Sequence, residues 1–431
     1  MYWIYNICLV AYWILQIPIL VYRLLFEEGF YERLKQSAGI MPTPTLEKIA
    51  YHHAIWVHAA SVGEVVAASP IIRELEMVVI SVVTATGHRM AQRIIPEADG
   101  HIFFPFDLPV ITNRIVRIIQ PKAIILIETE LWPNFLRIAY RNHIPVMMMN
   151  GRISDRSMRR YSLIKPVTEK MLYQIQQFCM QSTHDASYII KMGANSERVS
   201  IIGNTKYDQT YAAVSEVEKE KLRKEFHFSG EGPIIVAGST HNGEEEIVMR
   251  AFLKAKEKYP TAKLLLAVRE ITRAASVKFL IQQFGASVIR RSEMKTPMDD
   301  GQEHQVVILD TIGELGRLYS LADIVFVGGS FVRVGGHNIL EPAAHGKPVF
   351  VGPFMFNFKE IFKLLAERGA CIMCKTPADF EKQLLHILDV KMKQMGKIAL
   401  SVVQENQGAT GRNIDAFEQL LRKKDISLKG K

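Results

Sequence analysis

Short apolar runs alternate with helix-like segments along most of the chain. The pattern predicts buried strands at Ile55–Ala60, Val78–Val83, His101–Asp107, Ala123–Ile127 and Pro145–Met149. Each run ends in a turn that leads into a polar or amphipathic stretch. Repeated strand-then-helix units with short connections are typical of a doubly wound parallel sheet, so we expect an α/β fold.

A second set of such units begins after the charged, helix-like segment Glu216–Phe228. Its predicted strands are Pro233–Ala237, Ala262–Val268, Val306–Asp310 and Ala322–Val327. At 431 residues the chain exceeds what one hydrophobic core usually supports, so we expect two similar domains with a cleft between them. We place the first at residues 40–210 and the second at residues 211–431, and we interpret the polar stretch Arg290–Gln305 as a surface loop.

The first residues have a different pattern. Tyr2–Tyr22 carries no charged side chain, is long enough to cross a hydrocarbon core, and is followed but not preceded by Lys and Arg. No basic start or small-residue cleavage site of a signal peptide is evident. We predict a single-pass anchor within residues 1–39, with the bulk of the chain in the cytoplasm. A buried or interfacial helix is the alternative, because Asn6, Gln16 and Pro18 interrupt the segment.

The amino-acid composition limits which kinds of binding partner and metal site are expected. The hydrophobic content of 48% argues against disorder, and the formal charge of +9 favours an anionic partner such as a membrane surface, a nucleic acid or a phosphorylated ligand. Cys371 and Cys374 form a single C-x-x-C, whereas a zinc site would need further ligands. We therefore expect free thiols, as in a cytoplasmic enzyme, and no metal.

The glycine-rich stretch Gly328–Pro353 follows a predicted strand and is a candidate ligand loop. Gly335 and Gly336 stand where a helix is predicted to begin near Asn338, so free backbone N–H groups would point at an anion such as a phosphate. Asn338 and Glu341 share one face of that turn, and Glu341 is placed to accept from ribose hydroxyls. An ordinary N-cap with a capping-box-like spacing explains the same residues.

Carboxylates stand at the ends of two predicted strands. Glu64 lies at a strand-to-helix turn, where ligands bind in open α/β sheets and where a general base would be placed. A helix-start charge favoured by the dipole is the alternative. Glu128 and Glu130 beside a Trp-Pro turn indicate a polar site. A basic run at residues 156–160 suits an anionic acceptor, although a solvated helix face explains it equally.

Several motifs occur together in one order along the chain. They are HAASVGE (His58–Glu64), ETELWPN (Glu128–Asn134), NGRIS (Asn150–Ser154), GNTKYD (Gly203–Asp208), GSTHNGEE (Gly238–Glu245), DTIGEL (Asp310–Leu315) and VGGSFVRVGGHNILEPAAHGKPVFVGP (Val327–Pro353). This series resembles the 3-deoxy-D-manno-octulosonic acid (Kdo) transferases of lipid A assembly. The resemblance implies a membrane-anchored glycosyltransferase of the GT-B type, with two Rossmann-like domains, at the cell inner membrane. It also implies inverting transfer of Kdo from CMP-Kdo to a lipid A precursor (lipid IVA), without a metal cofactor or a nucleic-acid partner.

The resemblance also assigns roles to residues of this chain. Glu64 matches the catalytic base, and Glu128 and Lys206 match residues that stabilise the transition state. The CMP contacts fall on Val268, Arg269, Ile312, Gly313, Glu314, Asn338, Ile339, Leu340 and Glu341. This chain departs from the family at Val268-Arg269-Glu270, where the family usually has Pro before the Arg and His after it.

Two other classes of function stay open from the residues alone. Another GT-B nucleotide-sugar enzyme, such as a UDP-sugar transferase or an epimerase, would share the fold without needing both the anchor and the HAASVGE motif. A non-catalytic membrane-bound binding protein would keep its function after loss of Glu64. Substitution of Glu64 therefore separates enzyme from binding protein.

Overall fold

The structure is a computed structural model that describes residues 2–27, 29–50, 52–209, 214–228, 230–294, 304–390 and 392–424. The chain separates into two compact units. The N-terminal unit comprises Met1–Gln209 and Asn406–Lys431, and the C-terminal unit comprises Thr210–Glu405. Part of the predicted loop, residues 295–303, lies outside the described residues.

Within the described residues, the N-terminal unit contains one parallel seven-stranded sheet. Its strands are β1 Ile55–His58, β2 Val78–Val82, β3 Gly100–Phe103, β4 Ala123–Ile127, β5 Val146–Gly151, β6 Gln177–Met180 and β7 Val199–Ile201. Their order across the sheet is β3-β2-β1-β4-β5-β6-β7. All five strands predicted for this region are present with small changes in their bounds, whereas β6 and β7 were not predicted.

Helices cover both faces of this sheet, with one core on each side. The helices of this part of the chain are α1 Tyr2–Phe26, α2 Phe30–Ser37, α3 Thr43–Ile49, α4 Val62–Ile72, α5 Ala85–Ile94, α6 Pro109–Ile119, α7 Pro133–Arg141, α8 Asp155–Leu163, α9 Lys165–Tyr173 and α10 Thr183–Lys191. Successive residues of β1 enter different cores, because side chains alternate across a strand. Trp56 packs with Phe135 in one core, and Val57 packs with Val65 in the other.

The C-terminal unit repeats this architecture. Its strands are β8 Ile234–Thr240, β9 Lys263–Val268, β10 Val288–Arg290, β11 Val306–Leu309, β12 Ile324–Val327, β13 Val349–Val351 and β14 Cys371–Met373. Their order is β10-β11-β9-β8-β12-β13-β14. Its helices are α11 Glu216–Glu225, α12 Glu244–Lys258, α13 Ala274–Gln283, α14 Leu315–Leu318, α15 Leu340–Ala344, α16 Lys359–Glu367, α17 Pro377–Val390 and α18 Met392–Glu405. The prediction of two Rossmann-like α/β domains is confirmed.

The last helix, α19 Ala409–Lys423, returns to the N-terminal unit. Its buried face, which includes Phe417 and Leu421, packs in the same core as Val65 of α4. The Asp208 carboxylate accepts from the backbone N–H of Gly408 at 2.6 Å and fixes the start of the helix. Assigning all of residues 211–431 to the second domain is therefore wrong for this helix, because its apolar face is buried in the other core.

Tyr2–Phe26 is the one helix among the described residues that is long and apolar enough to cross a membrane. It extends the predicted segment Tyr2–Tyr22 by one turn, so that Arg23 lies within the helix. It belongs to the N-terminal unit, and most of its side chains are exposed.

Candidate active site

In the N-terminal unit, the strand order reverses beside β1. The chain moves from β1 to β2 and β3 on one side and then continues with β4 on the other, so β1 and β4 flank a topological switch point. Turns leave such a point in opposite directions and open a crevice at the carboxyl ends of the strands. The turn after β1 leads to Glu64, and the turn after β4 carries Glu128 and Glu130. The sequence prediction that these carboxylates lie at a ligand-binding edge agrees with this topology.

Glu64 lies in the first turn of α4, which Ser61 caps. The Ser61 hydroxyl donates to Glu64 Oε1 at 2.8 Å, and the Ala60 backbone N–H donates to Glu64 Oε2 at 2.8 Å. These two bonds form a capping-box-like arrangement that fixes both carboxylate oxygens. Glu64 is thus a helix-start carboxylate, as the alternative interpretation held, and it also lies at the switch point.

The surroundings of Glu64 change its acidity. Burial, assisted by the charges of Glu130 and Glu128, raises the pKa of Glu64 to about 8, against the opposing hydrogen bonds from Ser61 and Ala60. Desolvation and like charges both disfavour the ionised form of a carboxyl group. Glu64 therefore exchanges its proton near neutral pH, where a general base is most effective.

Glu130 is held by aromatic neighbours. Its Oε2 accepts from Trp132 Nε1 at 2.9 Å and lies 3.5 Å from His58 Nε2. His58 is fully buried at the end of β1, stacks on Phe104 at 3.9 Å, and has Nδ1 2.9 Å from Ser81 Oγ. The sequence analysis did not single out His58, although its place at the start of HAASVGE was the available signal.

Glu128 forms an ion pair with Lys206. Lys206 Nζ lies 3.0 Å from Glu128 Oε1, and the two side chains are 16% and 19% exposed. Glu128 adopts a positive φ of 57°, which turns the chain sharply out of β4. Thr205 fixes the neighbouring 3-10 helix by bonding to Asn150 Oδ1 and to the carbonyl of Ala67 in α4. The structure therefore brings Lys206 to the carboxylates, a placement that only the family resemblance implied.

The basic run lies on α8, which has no buried residue among those described. Arg156, Arg159 and Arg160 are exposed there, and Arg159 Nε donates to the backbone carbonyl of Asp155 at 3.3 Å. A solvated helix face accounts for these arginines. Tyr161 of the same helix is partly buried, and burial followed by the charge of Glu130 raises its pKa.

The C-terminal unit has the corresponding switch point between β8 and β12. Here the carboxylate in the first turn of the following helix is Glu244, which is fully buried. It accepts from the backbone N–H groups of Gly329, Ser330 and Phe331 at 2.7, 3.0 and 2.8 Å, and from that of His241 at 2.9 Å. The chain's own carboxylate therefore occupies the glycine-rich loop that follows β12.

The sequence prediction placed free backbone N–H groups at Gly335 and Gly336 and a helix start near Asn338. The structure differs on both points. The backbone N–H groups of Gly335 and Gly336 both donate to the carbonyl of Gly329, at 3.1 and 2.8 Å. Helix α15 begins at Leu340 rather than near Asn338 and ends at Ala344, which is too short for a strong macrodipole. Asn338 Oδ1 accepts from the Leu340 backbone N–H at 3.0 Å, so the Asn closes a local turn.

The residues expected to contact CMP lie on three turns of the C-terminal unit. Val268 ends β9 with a buried side chain, and Arg269 beside it is exposed. Gly313 has a φ of 95° in the turn after β11. A Cβ placed on Gly316 of α14, the helix that follows this turn, would lie 2.6 Å from Glu341 Oε1, so α14 and the start of α15 are in direct contact.

The side chains of these turns are unequally accessible. Ile312 is 65% exposed, whereas Ile339 and Leu340 are buried. The Glu314 carboxylate accepts a hydrogen bond from the Thr311 hydroxyl. Its Oε1 also forms ion pairs with Arg291 Nη2 at 3.2 Å and with Arg317 Nη2 at 3.1 Å. Glu341 is partly buried, and this burial raises the pKa of its carboxyl above the ordinary value.

A histidine pair near Arg269 was missed by the sequence analysis. His241 Nε2 lies 2.8 Å from His337 Nε2, and the two rings are nearly parallel. Burial, followed by the charges of Arg269 and His241, lowers the pKa of His337 to about 4. Arg269 therefore lies close enough to act on this pair.

Metal ligands do not cluster in the described part of the chain. No group of three or more His, Cys, Asp or Glu side chains there is placed to hold an ion. The cysteines are free thiols, of which Cys179, Cys371 and Cys374 are buried. The expectation that catalysis needs no metal stays a prediction.

Comparisons with known proteins point to one family. Residues 28–209 match the family model described as 3-deoxy-D-manno-octulosonic-acid transferase (kdotransferase). A 3-deoxy-D-manno-octulosonic acid transferase from Haemophilus influenzae is 35% identical over 86% of this chain and 87% of its own length. A second, from Bordetella pertussis, is 31% identical over 85% of this chain and 87% of its own length.

A solved structure supports the fold. UDP-GlcNAc 2-epimerase from Neisseria meningitidis has a TM-score of 0.58 and covers 85% of this chain and all of its own. Its sequence is 13% identical to this chain, so the likeness concerns the fold alone.

Proposed function

The chain belongs to the 3-deoxy-D-manno-octulosonic acid transferase family and is a glycosyltransferase that transfers Kdo in lipopolysaccharide synthesis, and we propose that its donor is CMP-Kdo and its acceptor a lipid A precursor, lipid IVA. In the proposed reaction an acceptor hydroxyl oxygen forms a bond to C2 of Kdo. The bond from C2 to the phosphate oxygen breaks, CMP departs with the bonding electrons, and the anomeric centre inverts.

Glu64 is the proposed general base. It takes the proton of the acceptor hydroxyl as the oxygen attacks, because a neutral hydroxyl is a weak nucleophile. The observation that carries this assignment is the buried carboxyl at the switch point, whose pKa is raised to about 8. A base with that pKa is strong enough to accept the proton and is still ionised in a useful fraction near neutral pH.

Lys206 is proposed to stabilise the negative charge that develops in the transition state. Its ammonium is 3.0 Å from Glu128 Oε1 and mostly buried, so it is already oriented before substrate arrives. Preoriented charges of this kind lower a barrier without reorganisation during the reaction. We assign Glu128 the positioning of Lys206.

The C-terminal unit is proposed to bind CMP. Arg269 is exposed beside the end of β9 and suits the phosphate, whereas Glu341 is partly buried and suits the ribose hydroxyls. Ile339 and Leu340 have buried side chains, so we expect them to contribute main-chain contacts. The remaining contacts, from Val268, Ile312, Gly313, Glu314 and Asn338, come from the same three turns.

Membrane attachment is proposed to follow from the acceptor. A lipid A precursor is held in a bilayer by its acyl chains, so an enzyme that uses it gains from residence at that surface. Helix α1 is the described element that suits this role. We propose that the protein works at the cytoplasmic side of the inner membrane.

Direct assay tests the proposal. Full-length protein in detergent, incubated with CMP-Kdo and a tetraacylated lipid A precursor, should give a lipid product that mass spectrometry identifies as Kdo-modified. Glu64→Gln serves as the matched control. Transfer or epimerisation of a UDP-sugar without any use of CMP-Kdo would favour another nucleotide-sugar enzyme. Binding of CMP-Kdo without turnover would favour the binding protein.

A further inference from the structure

Helix α1 carries a stripe of half-buried residues along its whole length. Its members recur every three or four positions, which places them on one face of the helix. They are Tyr2, Tyr5, Asn6, Leu9, Trp13, Gln16, Leu20 and Arg23. This stripe holds most of the polar side chains of the helix, and it faces the body of the N-terminal unit.

The first turns of the stripe make hydrogen bonds to buried groups of that body. The Tyr5 hydroxyl donates to Asp107 Oδ2 at 2.9 Å, and Asn134 Nδ2 donates to Asn6 Oδ1 at 2.7 Å. Asp107 is 3% exposed and Asn134 is 1% exposed. Asp107 also accepts from the backbone N–H groups that begin α7, so the contact reaches the domain core.

Further contacts extend in both directions along α1. At its start, Gln174 Nε2 donates to the Tyr2 hydroxyl at 2.8 Å, and the Arg137 guanidinium lies 4.4 Å from the centre of the Tyr2 ring. In its middle, Trp13 packs edge-on against Phe106 at 4.3 Å. Toward its end, Arg23 lies 4.6 Å from the ring of Phe30 in α2. The helix is therefore bound to the unit from one end to the other.

The opposite face of α1 is apolar and exposed. Trp3, Ile7 and Leu15 are 83%, 65% and 75% exposed, and the residues between the stripe positions carry no charge. An apolar surface as long as a helix of about 37 Å is far larger than the patches that soluble monomers usually expose. Cations flank it, with Arg137 at one end and Arg33 beside Phe30 at the other.

We propose that α1 lies flat in one leaflet of the membrane, docked on the N-terminal unit by its polar stripe, and that it does not cross the bilayer. Its apolar face enters the boundary between headgroups and acyl chains, and the flanking arginines contact anionic headgroups. The partner is thus a bilayer surface that contains anionic lipid. The inference depends on the proposed membrane association and is independent of the catalytic assignments.

Crossing would break the contacts of the stripe. It would carry the first residues across about 30 Å of hydrocarbon, and the body that bears Asp107 and Asn134 cannot follow them. Tyr5 and Asn6 would then lose their partners, and each unsatisfied polar group costs about 1 to 3 kcal/mol. Docking satisfies these groups and still gives the apolar face to lipid.

A disulfide cross-link in native membranes tests the docked position. In a Cys8→Ser background, Asn6→Cys and Asn134→Cys introduce thiols at two side chains that hydrogen bond across the interface. Oxidation in membranes should join them, so the denatured protein takes up two fewer PEG-maleimide groups. Ile7→Cys with Asn134→Cys is the matched control, because Ile7 is 65% exposed on the outer face. Equal uptake of the reagent before and after oxidation of the first pair would overturn the proposal.

Labelling from each side of sealed vesicles tests the topology independently. In the same background, Trp3→Cys should not react with an impermeant maleimide added on the side opposite the domains, yet it should react once detergent is added. Labelling from the opposite side in intact vesicles would show that α1 crosses, even in a fully active enzyme. Full-length protein that fails to bind vesicles containing anionic lipid would instead contradict the proposed membrane association itself.

Discussion

The two units place a carboxylate at the same point of the same architecture and use it in different ways. Glu64 and Glu244 both lie in the first turn of the helix that follows the first strand of their sheet, beside the switch point. Glu64 accepts hydrogen bonds from within its own turn, at Ala60 and Ser61. Glu244 also accepts three from the neighbouring loop.

The neighbouring loop accounts for this difference. After β4 the chain continues with Glu128 and Glu130, whose charges raise the pKa of the nearby carboxyl. After β12 it continues with Gly329 and Ser330, whose backbone N–H groups bind the carboxylate. A carboxylate among other carboxylates is available for proton transfer, whereas one that is saturated by N–H donors is structural. The adjacent strand therefore determines the role of the residue.

The largest expected effect comes from Glu64→Gln. The amide keeps the shape of the side chain and cannot accept the proton, so kcat should fall by about 10² to 10⁴-fold. Steady-state assay with CMP-Kdo and the lipid acceptor measures it. CMP affinity and the midpoint of thermal unfolding should stay close to those of wild type. A kcat within a few-fold of wild type would remove Glu64 as the base and turn attention to Glu128 or Glu130.

Glu244→Ala should destabilise the C-terminal unit without touching the chemistry of the other unit. Four backbone N–H groups, two of them buried and two partly buried, lose a charged acceptor, so we expect a loss of about 3 to 5 kcal/mol in the free energy of unfolding of this unit. Hydrogen exchange of peptides from β8 and β12 should report it. All four tryptophans lie in the N-terminal unit, so their fluorescence is an internal reference. Glu246→Ala is the control, because the Glu246 side chain is 47% exposed and pairs with Arg250 on the same helix. Equal exchange in the two variants would show that Glu244 does not stabilise this unit through its hydrogen bonds.

Glu341→Ala should weaken CMP binding. Loss of one partner of a buried hydrogen bond costs about 1 to 3 kcal/mol, and a cost above about 1.4 kcal/mol corresponds to a ten-fold or larger rise in Kd. Isothermal calorimetry with CMP measures the change. Glu360→Ala, an exposed carboxylate of the same unit, should leave Kd unaltered. An unaltered Kd in Glu341→Ala as well would reject the ribose contact.

Glu130→Gln should shift the pH profile of kcat/KM. At the pH optimum it should change activity less than the other substitutions change the quantities that report on them. Glu64 is active when ionised, and its pKa is raised to about 8, so wild-type kcat/KM should fall as the pH drops below that value. Removing the charge of Glu130 lowers the pKa of Glu64, so the acid limb should move to lower pH. Glu97→Gln, an exposed partner of Arg73, should leave the limb in place. An unmoved limb in Glu130→Gln would show that Glu64 is not the titrating group.

The sequence predicts those features that depend on local pattern. Strand β4 has the bounds that its continuous aliphatic run predicts, because a strand buried on both faces needs apolar residues throughout. The common position of Glu64, Glu128 and Glu130 at one edge follows from parallel strands, whose carboxyl ends all meet there.

Contacts between distant segments account for what the sequence does not predict. Lys206 reaches Glu128 because Thr205 bonds to Asn150 and to Ala67, each far away along the chain. From the sequence, the glycine-rich loop is predicted to bind a phosphate. In the structure its backbone N–H groups instead donate to the carboxylate of Glu244, which lies 85 residues before Gly329. The apolar periodicity of α19 indicates a buried face and does not say which core buries it.

The return of α19 has a consequence for synthesis on the ribosome. The core of the N-terminal unit includes Phe417 and Leu421, which emerge only after the whole of Thr210–Glu405. At ordinary elongation rates that interval lasts roughly 10 to 40 s, during which the part of this core that α19 covers is still exposed. A ribosome that stalls in this interval would release a chain whose second unit is complete and whose first unit is open to proteases and chaperones. The part of the chain that is made first is therefore the last to be finished.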